Sequence, residues 1–338
     1  MHIKDKTFVI RDKISGLSRI YHKLDELELK SDVEHSDVIN SLADLRNMVN
    51  GLYARTNPVQ TVRIDGNTIL TKIFTGIKMY LNPNDVSVAA HIAVDGFWEY
   101  QISKAWLAVV KQDDIVFDIG ANFGYFGLLA GQFTDKKKSK VVLFEANIGL
   151  IPYINKSLSV NWLHEQTTVE NLAVSDSIGE VSLNIPKDYI GSSSIKSIEE
   201  LDSLMHGKMS LELEEVMTVK STTIDFYCKN NNIKELNLIK MDIEGYEEKA
   251  YSGMKNIVKR SKNITLFIEF TKELYDDPNK FYSTMLEDFG HVYTINNQGL
   301  ITKPENTSYE SVICGTDDWV MPIFSKNANL DEEQNVVV

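Results

Sequence analysis

The sequence is poor in the features that mark secreted and membrane-spanning proteins. Only two of its 338 residues are cysteines, Cys228 and Cys314. Their spacing matches no metal site, so we expect two reduced thiols. No apolar run reaches the roughly 20 residues that a membrane helix needs, and the N-terminal residues lack the apolar stretch of a secretory signal. We therefore expect a cytoplasmic protein without a transmembrane segment.

The sequence also lacks an excess of basic residues. Lysine and arginine number 35 against 48 acidic residues, which gives a net charge of -13. Proteins that bind nucleic acids usually present a basic patch or stripe, so this balance argues against a nucleic-acid partner. Hydrophobic residues make up 43% of the chain, an ordinary fraction for a globular protein.

The first 56 residues differ from the rest of the chain. Apolar residues recur every three or four positions from Leu17 to Leu27 and again from Val38 to Val49, with charged residues between them. This periodicity predicts amphipathic helices. We assign residues 1–56 to an N-terminal helical module, which is either a helix pair on the main domain or a coiled coil that forms a homo-oligomer.

A short lead-in and a large α/β domain follow. Residues 57–112 are predicted to form short antiparallel strands, with a hairpin turn at Asp65-Gly66, and then a helix. Residues 113–324 form the main domain, and residues 325–338 form a polar tail. We predict strands at 115–119, 141–145, 168–174, 181–185, 236–242 and 264–270, and helices at 99–110, 124–132, 149–162, 222–231, 246–259 and 278–289.

The alternation of strands and helices predicts a parallel sheet that is covered on both faces. Two later segments, "HVYTINNQGLI" and "SVICG", are predicted to pair as antiparallel strands at the sheet edge. A long connection, residues 186–215, lies between two strand-like segments and is of the kind that forms lids or binding loops. Its segment Gly191–Ser194 either binds a polyol substrate or belongs to a solvated loop.

The stretch "IVFDIGANFGYFG" ends an apolar strand on a carboxylate and a glycine turn. Gly120 and Gly124 let a ligand approach the backbone at a helix N-terminus that favours anions. Asn122 stands where a dinucleotide-binding motif has its second glycine, and Asp118 would repel a pyrophosphate. S-adenosylmethionine (SAM) carries a carboxylate for the helix and an ammonium for the acid. The turn favours SAM, with a nicotinamide or flavin cofactor, or a purely structural turn, as alternatives.

Other predicted strands also end on acids. Glu145 ends the second strand, where an acid can accept both ribose hydroxyls of an adenosine. Asp242 and Glu244 follow a later strand on one face. These two carboxylates can hold an ammonium, act as a base or bind a divalent metal, although Glu244 is also suited to cap the next helix.

Two further acids lie near these strand ends in the sequence. Glu269 is a further candidate acid for the site, whereas Glu247 is predicted to lie on a solvated helix face.

Several motifs occur together in a characteristic order: "FWE", "DIGANFGYFG", "FEAN", "NLAVSDSIGEVSL", "GSSSI", "TTID" and "IKMDIEGYE". Over residues 95–300 this set resembles the FkbM-type family of SAM-dependent methyltransferases. The resemblance implies an α/β, Rossmann-like class I methyltransferase fold with a mostly parallel seven-stranded sheet and an antiparallel edge. It also implies O-methyl transfer, often to a sugar, a glycan or a natural product.

The resemblance places the reacting centre and the cofactor contacts. Asp242 is the first candidate for the base and Glu244 the second, and a divalent metal that activates the acceptor is an alternative. His91 precedes "FWE" and is a third candidate base, unless it is an ordinary surface or core histidine. The implied cofactor contacts are Glu99, Asp118, Gly120, Asn122, Gly124, Tyr125, Phe126, Glu145, Asn147, Asn171, Ala173 and Asp242.

A second class of function is compatible with the same residues. A nucleotide-dependent oxidoreductase, or a non-catalytic nucleotide-binding protein with oligomerising N-terminal helices, would also use a glycine turn after the first strand. Asn122 in the turn and Asp118 before it favour the methyltransferase. The acceptor is therefore expected to be a hydroxyl-bearing molecule, in particular a sugar or glycan.

Overall fold

The computed structural model of the chain describes residues 60–197, 200, 212–314 and 320–332. The predicted N-terminal helical module, residues 1–56, lies outside the described residues. Within the described ranges, no helix combines the length and the apolar character needed to cross a lipid bilayer.

The described strands are β1 Val62–Arg63, β2 Ile69–Lys72, β3 Lys78–Leu81, β4 Ile115–Ile119, β5 Lys140–Phe144, β6 Thr167–Glu170, β7 Ala173–Val174, β8 Gly179–Pro186, β9 Leu213–Thr222, β10 Leu238–Met241, β11 Thr265–Ile268, β12 His291–Ile295, β13 Ile301–Thr302 and β14 Ile323–Ser325. The described α-helices are α1 Val88–Asp95, α2 Tyr100–Val109, α3 Tyr125–Phe133, α4 Ile151–Asn161, α5 Ile224–Asn230, α6 Glu247–Ser252, α7 Lys255–Arg260 and α8 Pro278–Phe289.

The central sheet has eight strands in the order β13-β12-β14-β11-β10-β4-β5-β6. The strands β11, β10, β4, β5 and β6 pair in parallel, whereas β12, β13 and β14 pair antiparallel at one edge. From β4 the chain builds outward to β6 and then returns to place β10 on the other side of β4. The predicted Rossmann-like, mostly parallel sheet with an antiparallel edge is confirmed, and the two-residue strand β13 adds an eighth strand.

The central strands are buried on both faces, as the strands of parallel sheets usually are. Successive residues of β4 show this division: Val116 packs into one apolar cluster with Trp106 and Leu128, and Phe117 packs into the cluster on the opposite face with Tyr251. The alternation follows from the period of two along a strand. Both faces of these strands are covered, and an opening is found at the carboxyl ends of β4, β5, β10 and β11.

Two smaller sheets accompany the central one. Strands β1, β2 and β3 form an antiparallel sheet, as predicted for the first part of residues 57–112. Strands β7, β9 and β8 form the other, in which β8 and β9 pair antiparallel along most of their length. The sequence analysis placed a strand-like segment after residue 215 without assigning its bounds. Most residues of β9 are exposed, so its apolar pattern is weak.

The structure corrects four details of the predicted elements. The segment "SVICG" is part of a π-helical turn, Glu310–Cys314, and not a strand. Val312 and Ile313 are adjacent and both buried, whereas a strand would turn them to opposite faces. Besides β13, β12 pairs with β14.

The predicted polar tail is also corrected. The last residue of β14, Ser325, is fully buried and Leu330 packs into the core, so the described part of the predicted tail, up to residue 332, contains core residues.

The other two corrections concern interruptions within predicted elements. The helix predicted at 246–259 is divided into α6 and α7 at Gly253, where a Cβ would lie 2.2 Å from the Ser175 carbonyl oxygen. The strand predicted at 168–174 is divided into β6 and β7, which belong to different sheets. Asn171 lies at this division and donates from Nδ2 to the carbonyl oxygens of Glu145 and Ala146, at 2.8 and 2.9 Å.

Candidate active site

The glycine turn after β4 contacts the end of the neighbouring strand β10. Gly120 has a φ of +82°, and a Cβ there would lie 1.8 Å from the Asp242 carbonyl oxygen. The amides of Gly120 and Ala121 both donate to the Phe144 carbonyl oxygen, each at 3.0 Å. The turn is therefore fixed between the ends of β5 and β10, and glycine is required at position 120 by both conformation and space.

Asp118 and Gly124 stabilise this turn from inside the protein. Asp118 is 1% exposed, and its Oδ2 accepts a hydrogen bond of 2.7 Å from the Gly127 amide in the first turn of α3. Burial raises the pKa of Asp118 to about 6, and Lys240 opposes that shift. Gly124 has a φ of +84° and lies against Leu143 and Ile154. Next to this turn is a crevice, and neither residue is among those that line it. Both therefore support the wall of the crevice from the protein interior.

The crevice lies at the carboxyl ends of β4, β5, β10 and β11 and has a volume of about 360 Å³, within the range of small-molecule sites. It brings together nine of the predicted residues: Glu99, Gly120, Asn122, Tyr125, Phe126, Glu145, Ala173, Asp242 and Glu244. Glu269, the further candidate acid, lines it as well. A separate, more open groove between β8, β9 and α5 contains none of these residues.

Glu145 is held in place by backbone amides at one end of the crevice. Its Oε2 accepts a hydrogen bond of 2.6 Å from the Asn122 amide, and its Oε1 accepts one of 2.7 Å from the Asn147 amide. Burial raises its pKa to about 7, and these two amides oppose the shift. The Asn147 side chain donates to Ser193 Oγ at 3.1 Å. Asn147 and Asn171 are not among the lining residues, so these two predicted cofactor contacts support the walls of the site.

The opposite end of the crevice contains an ion pair. Lys240 Nζ lies 2.7 Å from Asp242 Oδ2 and 4.5 Å from the centroid of the Phe126 ring. Burial alone would lower the pKa of Lys240, but the carboxylates of Asp242, Glu99 and Asp118 outweigh it and raise that pKa. The sequence analysis did not single out Lys240, although a lysine inside an apolar strand two residues before an acid was a usable signal.

Glu99 lines the crevice from the start of α2. Its φ is +43°, a conformation that is uncommon for residues other than glycine. Its Oε2 is buried and has no hydrogen-bond partner. Burial raises the pKa of Glu99 to about 7, Lys240 opposes the shift, and Asp242 adds to it. An unpaired buried carboxylate oxygen is costly, so this atom is suited to a ligand that donates a hydrogen bond.

Glu244 and Glu269 complete the acidic end. Burial raises the pKa of Glu244 to about 8, and repulsion from Asp242 adds to that shift. Burial and the same repulsion hold the pKa of Glu269 well above its usual range. Glu244 has a φ of +54°. Strained conformations of this kind are common at functional sites.

Glu247 is buried, which corrects its predicted place on a solvated helix face. It is fully buried, and its Oε1 accepts hydrogen bonds from the amides of Ile243 and Gly245 at 2.8 and 3.3 Å. Its Oε2 accepts a hydrogen bond of 2.9 Å from the Tyr275 hydroxyl. Glu247 is the first residue of α6, and because helical side chains tilt toward the N-terminus of their helix, its carboxylate reaches the amides of the preceding loop.

The first part of the long connection borders the crevice. Asn122 Nδ2 donates to the Gly191 carbonyl oxygen at 3.1 Å, and the Gly191 amide donates to Asp85 Oδ2 at 3.0 Å. Ser194 Oγ donates to the Glu244 carbonyl oxygen at 2.9 Å. Gly191, Ser192 and Ser193 line the crevice, whereas residues 198–199 and 201–211 of the connection lie outside the described residues.

His91 lies apart from these groups. Its side chain is 63% exposed and its Nδ1 is 3.4 Å from Asp95 Oδ2. It is not among the residues that line the crevice, so the structure does not bring this candidate base to Asp242 and Glu244. Across the described ranges, no group of three or more histidine, cysteine, aspartate or glutamate residues is arranged to hold a metal ion.

Comparisons with known proteins match the part of the chain that contains most of these residues. A family model described as the methyltransferase FkbM domain matches residues 118–299. A curated relative, the hexuronic acid methyltransferase AglP of Haloferax volcanii, is 24% identical over 163 residues. This match covers 48% of the chain and 58% of the relative, so the chain spans less than two thirds of that protein's length.

Two solved structures are also similar to this chain. The methyltransferase FkbM of Methylobacillus flagellatus has 14% sequence identity and a TM-score of 0.37, and the similarity covers 72% of this chain and 55% of that one. The P. horikoshii protein TYW2 in complex with MeSAdo has 12% identity and a TM-score of 0.40, with 84% and 83% covered.

Proposed function

This chain belongs to the FkbM methyltransferase family, and we propose that it transfers the methyl group of SAM to a hydroxyl of a sugar or glycan. The family match extends over more than half of the chain, and the chain is accordingly a SAM-dependent methyltransferase rather than the nucleotide-dependent oxidoreductase that was the alternative. The observation that carries the acceptor chemistry is the Lys240–Asp242 pair, which presents a carboxylate to the crevice beside the glycine turn.

The residues of the crevice fit SAM. Glu145 is fixed by two amides at one end and is suited to the ribose hydroxyls. Gly120 and Ala121 of the glycine turn line the crevice, and Gly120 packs directly against the Asp242 carbonyl. Glu99 Oε2 is a buried acceptor without a partner and is suited to the ammonium of the methionine moiety. We assign the ribose contact to Glu145, the ammonium contact to Glu99, and the remaining crevice wall to Asn122, Tyr125, Phe126 and Ala173.

Asp242 is the proposed general base. One of its oxygens, Oδ2, is bonded to Lys240, and we assign to the other, Oδ1, the proton of the acceptor hydroxyl as the hydroxyl oxygen attacks. SAM supplies an electrophilic methyl group on its sulfonium. Alignment of the hydroxyl with that methyl group, and removal of its proton, are the contributions of the protein. Glu244 is the second candidate for the base.

The test combines turnover with binding. Purified protein is incubated with SAM and a panel of sugars, glycans and small hydroxylated molecules, and products that gain one CH₂ unit are detected by mass spectrometry. Calorimetry with SAM, S-adenosylhomocysteine and NAD measures cofactor binding separately. Methylated products that contain no sugar would contradict the proposed acceptor, and binding of NAD instead of SAM would contradict the cofactor.

An Asp242→Asn variant tests the base. We expect it to bind SAM and to lose about 10²–10⁴-fold in turnover, the usual contribution of a general base. The matched control is Asp113→Asn, since the Asp113 side chain is 67% exposed and lies outside the crevice. Full turnover by Asp242→Asn would transfer the role to Glu244.

Two predictions from the sequence remain proposals. Residues 1–56 are proposed to make the protein a homo-oligomer, which light scattering of the full chain would test. A monomer at micromolar concentration would contradict this proposal.

The proposed cytoplasmic location is tested by fractionation of cells that express the protein.

A further inference from the structure

The aromatic residues that line the crevice differ in their exposure. Most are buried, namely Phe123, Tyr125, Phe126 and Phe144. Trp98 and Tyr189 also line the crevice but are partly exposed, so they lie where it meets solvent. Tryptophan and tyrosine present a large, rigid apolar ring with a polar atom at its edge, and they are enriched at binding surfaces. These two rings are therefore candidates for contacts with a ligand that enters the crevice.

Trp98 is fixed in position by contacts on several sides. It packs against the apolar cluster that contains Trp106, and the His91 ring meets its ring edge to face, with the ring centroids 5.7 Å apart. Its carbonyl oxygen accepts a hydrogen bond from Ser103 Oγ in α2. Trp98 directly precedes Glu99, the proposed contact of the SAM ammonium. The ring is thus preorganised beside the methionine end of the proposed cofactor site, the end that carries the transferable methyl group.

The segment around Tyr189 is attached to the residues before α1. The Val86 amide donates to the Asp188 carbonyl oxygen at 2.9 Å, and the Gly191 amide donates to Asp85 Oδ2 at 3.0 Å. Both of the attached segments contain lining residues. Together with Trp98 these residues form the aromatic rim of the crevice, which consists of Ser87, Trp98, Tyr189, Ser192 and Ser193. None of these five residues is among those assigned above to SAM or to the base.

The aromatic rim combines apolar rings with hydroxyl groups. A pyranose has the same two kinds of surface, because C–H groups cover its faces and hydroxyls project from its edge. An aromatic ring can pack against the C–H face while serine hydroxyls exchange hydrogen bonds with the edge. An open-chain polyol offers similar hydroxyls but no rigid face, and it loses more conformational entropy on binding.

We propose that Trp98 and Tyr189 form the acceptor subsite, in which the C–H face of a pyranose ring packs on the Trp98 ring and one of its hydroxyls is left for Asp242. The inference rests on the proposed sugar O-methyltransferase function and adds the residues that bind the sugar. It also narrows the acceptor to cyclic sugars, as opposed to open-chain polyols.

The test separates acceptor binding from cofactor binding. Methyl pyranosides of glucose, galactose, mannose, xylose, N-acetylglucosamine and glucuronic acid, together with open-chain glucitol, are supplied with isotopically labelled SAM. We expect Trp98→Leu to raise the KM of the reactive pyranosides about tenfold or more. Its kcat and its calorimetric affinity for SAM are expected to stay within about threefold of wild type, because the lost contact is made equally before and during the reaction.

Two further variants show whether the aromatic face is responsible. Trp98→Phe keeps an aromatic ring and is expected to restore KM to within about threefold of wild type. The matched control is Trp162→Leu, since Trp162 is 80% exposed and is not a lining residue; its KM should equal that of wild type. Tyr189→Leu is expected to raise KM as well, and it decides the question where Trp98→Leu has a lowered melting temperature.

The other outcomes overturn separate statements. An equal KM in Trp98→Leu and Trp162→Leu, or a Trp98→Leu variant that loses SAM affinity alone, overturns the subsite but leaves sugar methylation in place. Glucitol that reacts as fast as the pyranosides overturns the preference for cyclic sugars. If SAM binds and wild type methylates none of these probes, the proposed function fails and the inference fails with it.

Discussion

Lys240 Nζ lies 2.7 Å from Asp242 Oδ2, and both residues stand at the end of one strand, two positions apart. Lys240 is 2% exposed and has the Phe126 ring on another side. The pair places a fixed carboxylate next to the glycine turn without exposing the lysine to water. The carboxylate proposed as the general base is thus held by a cation whose own pKa is raised by the carboxylates around it.

Removal of this cation is expected to destabilise the protein. Lys240→Met leaves Asp242 without its partner, and breaking a buried ion pair costs about 3–5 kcal/mol. The double variant Lys240→Met with Asp242→Asn should recover part of that loss, because no uncompensated charge remains. Urea unfolding of the four proteins measures this coupling. Additive effects of the two substitutions would show that the contact does not contribute to stability.

Gly120→Ala is expected to weaken SAM binding and to lower the free energy of unfolding by about 2–5 kcal/mol. The left-handed conformation costs about 1–2 kcal/mol for a residue with a Cβ, and overpacking adds about 1–3 kcal/mol. The control is Gly66→Ala, since a Cβ at Gly66 meets no atom within 4 Å. Calorimetry with SAM and urea unfolding compare the two variants. Equal effects of both would contradict the required contact with Asp242.

The stability of the ligand-free protein is expected to fall as pH rises from about 4.5 to 8. The pKa of Glu244 is raised from 4.5 to about 8 in the folded protein, so the folded state binds this proton more tightly than the unfolded state does. The stabilisation is complete below pH 4.5 and is lost as pH rises through 8. A Glu244→Gln variant should show a flatter decline of melting temperature over this range. An identical slope in variant and wild type would contradict the assigned pKa.

Glu99→Gln is expected to lower the affinity for SAM by about tenfold or more, because the contact with the ammonium loses its charge. The substitution preserves the size of the side chain, so the fold should be retained. Asp95→Asn is the matched control, since Asp95 lies near the surface beside His91. Calorimetry measures both, and unchanged affinity in Glu99→Gln would remove this residue from the cofactor contacts.

His91→Asn is expected to leave turnover within about twofold of wild type. The His91 ring is exposed and interacts with Asp95, and surface substitutions usually change stability by no more than about 0.5 kcal/mol. The initial rate with the best acceptor from the mass-spectrometric screen provides the measurement. A loss as large as that of Asp242→Asn would restore His91 as a candidate base.

The sequence by itself determined the α/β class, the mostly parallel sheet and the position of the glycine turn. These follow from local patterns, since apolar period, glycine spacing and strand-end acids can be recognised within one segment. Tertiary structure decided which of those acids face a common crevice. Asp118 points back to Gly127, and Glu247 turns from the predicted surface into the loop before its own helix.

Tertiary structure alone also revealed the partner of Asp242 and the unpaired oxygens of Glu99 and Asn122. Whether a polar atom is satisfied depends on residues that are distant in the chain and adjacent in the fold. Gly191, for example, meets Asn122 from 69 positions away. Local sequence specifies the elements because their periods are local, whereas burial and pairing arise only when the strands and helices pack together.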